Sequence, residues 1–153
     1  MKEFLKKLFP ILTLLAMLFI FSNSLSQGDE ATAKRGFVIS ILTFLVRLFT
    51  GKEISFGPAE LAVVSKLFHV AEFFLFSFCL SFSVFFRRGK MEGAFQEILL
   101  CGVFTALADE QLQMLSKGRS PTLSDVFVDL AGILIAFGIV FLISKIKNKK
   151  KEI

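Results

Sequence analysis

Tryptophan and tyrosine are absent from these 153 residues. The aromatic belt that these side chains usually form at membrane–water interfaces is therefore missing. No phenol is available as a catalytic acid or nucleophile. Histidine occurs once, as His69, so chemistry that needs a pair of imidazoles is excluded. The two cysteines, Cys79 and Cys101, lie inside apolar runs and are expected to be buried free thiols. They form neither a disulfide framework nor a thiolate metal motif. The nucleophile-elbow pattern Gly-x-Ser-x-Gly and the metalloprotease pattern His-Glu-x-x-His are also missing.

What is abundant is apolar. Hydrophobic residues make up 54% of the chain, phenylalanine alone occurs 21 times, and the mean hydropathy is +0.71. That lies above the range of soluble domains. Four apolar stretches approach the ~20 residues needed to cross a bilayer, and none shows the period-2 alternation of a membrane barrel. The expected fold is all-α: a polytopic membrane protein of one domain over residues 1–153, with transmembrane helices at about 4–24, 61–86, 93–115 and 124–144. The stretch at about 37–50 is apolar but short and is interrupted by Arg47, so it is expected to be an interfacial or re-entrant helix. The N-terminal run resembles a signal peptide. It is long and lacks an Ala-x-Ala-type site, which favours an uncleaved first helix. Residues Ser22 to Arg35 read as a polar connection and Gly51 to Glu60 as a loop.

The net charge of +5 does not point to nucleic acid, because the basic residues flank apolar runs. Lys2, Lys6, Lys7, Arg87, Arg88, Lys90 and the lysines from Lys145 to Lys151 all fall at one set of helix ends. The positive-inside rule then puts both termini in the cytoplasm. These residues also suit anionic lipid headgroups.

With that topology the polar residues gather near the outer surface. Lys66, His69 and Glu72 lie in the outer half of the second span, and Asp109, Glu110 and Gln113 at the outer end of the third. Arg119 follows in the loop, and Asp125 and Asp129 occupy the first turns of the fourth. Ionisable residues in membrane helices are costly and are functional candidates by default. Asp125, Asp129, Gly132 and Ala136 form one helical stripe, with acids above and small residues below. His69, with Glu72 or Asp109 as its orienter, is a candidate general base. Asp109 and Glu110 are the carboxylates able to take a divalent cation such as Mg²⁺, although no metal motif is present and no cofactor is expected.

Three blocks carry a family resemblance: Phe21-Ser22-Asn23-Ser24; Lys66-Leu67-Phe68-His69-Val70-Ala71-Glu72-Phe73; and Asp109-Glu110-x-x-Gln113 followed by Gly118-Arg119, Asp125 and Asp129-x-x-Gly132. In these the chain resembles the VanZ-like family of bacterial membrane proteins. It carries Leu112 where members often have His, and Asp129 where they often have Asn. The resemblance implies a four-helix protein of the bacterial cell membrane and a role in the cell envelope. It also implies a link to antibiotic resistance, since the founding member is associated with resistance to teicoplanin.

Three functional readings follow. The first is a site for an anionic lipid-linked headgroup, such as a cell-wall precursor, or for a lipoglycopeptide-type amphiphile. There Lys66 and Arg119 would hold phosphate, and His69, Gln113, Asp125 and Asp129 would complete the site. The second is an intramembrane hydrolase or transferase acting on lipid phosphates through His69, Glu72, Asp109 and Glu110. The third is an ion-pair network that only fixes helix packing.

Overall fold

The computed structural model describes residues 1–26, 28–52, 57–117 and 122–149. Five helices account for most of them: α1 (Lys2–Ser24), α2 (Gly28–Thr50), α3 (Pro58–Arg88), α4 (Phe95–Met114) and α5 (Leu123–Lys149). No strand occurs among the described residues. Three of the helices, α1, α3 and α5, are long and apolar enough to cross a membrane. α4 has 20 residues and an apolar middle, but it carries Glu97, Asp109 and Glu110.

The helix ends follow local chemistry. α3 starts behind Gly57, in extended conformation, with Pro58 at the first helical position, where its missing N–H costs nothing. It stops at Gly89, whose φ of 75° closes the helix in the left-handed conformation that glycine tolerates. α1 runs through Pro10 without interruption. α2 differs from expectation in extent: it begins at Gly28, inside the stretch that reads as a polar connection.

α3 is the central element, packed between α1 and α5, while α4 lies against α5 and α1. Contacts fix the directions. Phe9 of α1 stacks on Phe82 and Phe86 near the end of α3, and Asn23 reaches Glu72 nearer its start, so α1 and α3 are antiparallel. Lys147 of α5 lies over the Phe85 and Phe86 rings, and Asn148 reaches the Gly89 carbonyl, so α3 and α5 are parallel. The basic ends of α1, α3 and α5 therefore share one end of the bundle. There Arg88 also pairs with Glu97 at 2.5 Å.

The buried face of α5 is Val126, Asp129, Gly132, Ile133, Ala136, Val140 and Ser144. Its closest approach is at Gly132, where a β-carbon would run into the Val70 carbonyl oxygen and lie 2.9 Å from the Phe74 nitrogen. Only glycine allows two helix backbones this near. Below it, Ser77 Oγ donates to the Ile133 carbonyl at 3.1 Å. The core is completed by Ile20, Phe73, Phe76, Val84, Phe85, Met91 and Ile98. Large apolar side chains such as Leu14, Leu18, Phe104, Ile135 and Leu142 face outward, as hydrocarbon-facing surfaces require. Cys79 is buried, but Cys101 is exposed, on the flank of the buried α4 stripe of Ile98, Gly102, Ala106, Asp109 and Gln113.

Candidate functional site

Polar residues from four helices meet at the end of the bundle opposite the basic ends. α3 supplies His69 and Glu72, α4 supplies Asp109 and Gln113, α5 supplies Asp129, and α1 supplies Asn23 and Ser24 from its last turn. Asp109 and Asp129 are almost completely buried, at 1% and 0% exposure. A carboxylate this deep requires partners.

Asp109 has them on both oxygens. Ser24 Oγ donates to Oδ1, and Gln113 Nε2, one helical turn further along α4, donates to Oδ2 at 2.8 Å. The end of α1 is held in turn: Ser116 Oγ donates to the Ser24 carbonyl at 2.7 Å. Asn23 Nδ2 donates to Glu72 Oε1 at 2.6 Å. So the last turn of α1 ties α3 and α4 together through one amide and one hydroxyl.

Asp129 is different. Its Oδ1 lies 3.2 Å from His69 Nδ1, but the pair is not aligned as a hydrogen bond, and Oδ2 has no hydrogen-bond partner among the described residues. Asp129, rather than Glu72 or Asp109, is thus the carboxylate nearest the histidine's Nδ1. One donor atom each from His69, Asp109 and Asp129 lie within 4.8 Å of one another. Glu110 is buried but contributes no atom to this group. His69, Asp109 and Asp129 are thus a group of donors close enough to share a cation.

Lys66 is exposed, and Asp125 is half-buried, with Ser124 Oγ 3.4 Å from its Oδ1. Arg119 and Gly118 lie outside the described residues. The described charges of the site are thus carboxylates around a single imidazole.

A cavity of about 770 Å³ opens beside this cluster, between α1, α2 and α3. Phe19, Ala33, Phe37, Val38, Phe68, Ala71 and Leu75 form its apolar walls, and Asn23, Ser24, Ser26, Ser65, His69 and Glu72 supply its polar groups. Its size lies within the range of small-molecule sites. Asn23 and Ser24 carry no charge, so the argument from costly ionisable residues passes over them. The only sequence signal for them is the Phe21-Ser22-Asn23-Ser24 block of the family resemblance.

No curated protein and no solved structure matches the chain. The family comparison does: residues 9–144 match VanZ/LLP1, a stretch that contains every described residue of the site. The arrangement of imidazole, carboxylates and amide just described therefore sits on a chain that belongs to the VanZ/LLP1 family.

Proposed function

We propose that the protein binds an amphiphile from the outer leaflet of the bacterial cell membrane. Its head would sit against Asn23, Ser24, His69 and Glu72, and its hydrocarbon against Phe19, Phe37 and Leu75. The observation that carries this reading is the cavity, which joins apolar walls from three helices to a polar end made by four of the same residues that organise the buried cluster. In this reading α4 is a fourth crossing, paired with α5, and both termini are cytoplasmic. The lysines and arginines gathered at the opposite end of the bundle support that orientation.

The acids and amides at the polar end suit a head rich in hydroxyl and amino donors. A sugar-bearing lipid-linked cell-wall precursor and a lipoglycopeptide of the teicoplanin type both have such heads. Lys66 and Arg119 are the cationic candidates for an accompanying phosphate. A role in tolerance to such antibiotics follows if the ligand is drawn from this class.

The test is retention of amphiphiles by the detergent-purified protein, read by mass spectrometry of the intact complex. Leu75→Trp fills the apolar part of the cavity and should lower retention about tenfold, near 1.4 kcal/mol, with unfolding temperature unchanged. Arg119→Ala should lower retention of phosphate-bearing ligands only. Equal retention by wild type and Leu75→Trp would count against the reading.

One contact also favours a catalytic reading. His69 lines the cavity, and its Nδ1 faces Asp129 at 3.2 Å, which is a base with a carboxylate behind it. Turnover of a lipid phosphate by purified protein, lost in His69→Ala, would support it. Inactivity across a lipid panel would remove it.

A further inference from the structure

Asp129 poses a problem that the amphiphile reading leaves unsolved. It is wholly buried, and among the described residues its Oδ2 has no hydrogen-bond partner and its Oδ1 meets only a misaligned imidazole nitrogen. A second carboxylate, Asp109, lies in the same group. Burying a carboxylate oxygen that no group satisfies costs several kcal/mol, and among the described residues Asp129 Oδ2 is such an oxygen.

The three donors come from three different helices, so each is set by tertiary packing. His69 is placed by α3, Asp109 by α4 and Asp129 by α5. One nitrogen and two oxygens converge within 4.8 Å. Metal–ligand distances of about 2.0–2.2 Å put neighbouring donors roughly 3.3–3.6 Å apart in a tetrahedral site. The widest spacing allowed here, 4.8 Å, closes to that by roughly 1.2–1.5 Å, within the reach of side-chain rotation. Asp109 is already oriented by Ser24 Oγ and Gln113 Nε2, as outer-shell donors orient a ligating carboxylate.

We infer that His69, Asp109 and Asp129 form a binding site for one divalent transition-metal ion at the junction of α3, α4 and α5. A mixed imidazole–carboxylate set suits Zn²⁺ or Mn²⁺. Three protein donors leave at least one position for water or a ligand oxygen. The ion satisfies the orphaned Asp129 oxygen. It stands next to the cavity that His69 and Ser24 line. An anionic head could then bind a site whose described side chains are acidic. The inference does not rest on that ligand, because the metal is measured alone.

The experiment uses the full chain in detergent with any affinity tag removed. The protein is stripped with chelator, equilibrated with Zn²⁺ or Mn²⁺, freed of excess ion and assayed for bound metal. About one ion per chain is expected. Asp129→Asn and His69→Gln should weaken binding about a hundredfold or more, while Glu97→Gln, which alters only the distant Arg88 pair, should bind as wild type. A second measurement does not depend on any variant. The chain has one histidine, so a nitrogen coupling in the paramagnetic resonance of the Mn²⁺-loaded wild type identifies His69 as a ligand. Wild type that holds less than about a tenth of an equivalent of either metal overturns the inference. So does equal binding by Asp129→Asn and His69→Gln, or bound Mn²⁺ without nitrogen coupling.

Discussion

Asp109 shows how much of the site depends on small neutral partners. Its oxygens are held by a serine from α1 and a glutamine from its own helix. Ser24→Ala removes one donor from a buried carboxylate and should lower stability by about 1–3 kcal/mol, read as a lower unfolding temperature in detergent. Gln113→Leu should cost a similar amount. Lys66→Ala, at an exposed position, should change stability by no more than about 0.5 kcal/mol. The ionisable members of the cluster stand out in the sequence, because a charge in an apolar chain has no inexpensive explanation. Their pairing does not. Which carboxylate faces His69 depends on how α5 is rotated against α3, and spacing along one helix holds no information about its neighbour. Exposure of Cys101 escapes for the same reason: the middle of α4 around it is apolar on every side, so the local sequence does not mark the buried one.

Among elements, α5 was the most legible and α2 the least. The stripe Asp129, Gly132, Ala136 reads directly from helical spacing and is the buried face, with Asp125 at its edge. The contact it makes is open to test. Gly132→Ala pushes a β-carbon into the Val70 backbone, which cannot step aside. A loss of about 1–3 kcal/mol is expected, again read as unfolding temperature. Gly102→Ala meets the Ile133 side chain, with Cδ1 at 2.6 Å, Cγ1 at 3.1 Å and Cγ2 at 3.2 Å, and should cost less because a side chain, unlike a backbone, can shift. If the two variants melt together, the α3–α5 approach is not the tight point of the bundle. α2 starts earlier than its apolar content suggests. Glu30, Ala31, Ala33, Lys34 and Arg35 are good helix formers, but without an apolar period they read as a connection. The wall that Ala33, Phe37 and Val38 give the cavity is consequently invisible from the sequence.

For the whole molecule, the apolar content and the family blocks make an all-helical membrane protein legible before any coordinates. The positions of the basic residues add a direction. The contacts of Phe9 with Phe82, Arg88 with Glu97 and Lys147 with Phe85 gather those residues at one end. Single cysteines placed at Lys90 and Lys149, in a chain lacking Cys79 and Cys101, should react with an impermeant thiol reagent only after the membrane is opened. Labelling in intact cells would refute cytoplasmic ends. The glycine seat at Val70 also divides the α3–α5 pair into two arms. One arm holds the histidine and its carboxylates, the other the phenylalanines and the lysine ends. Inserting one residue between Asp129 and Gly132 would swing the α5 side of the first arm, with Asp129, by about 100° away from His69 and leave the second arm in its socket. That short segment is a rivet: the chemistry above it can be dismantled without loosening what lies below.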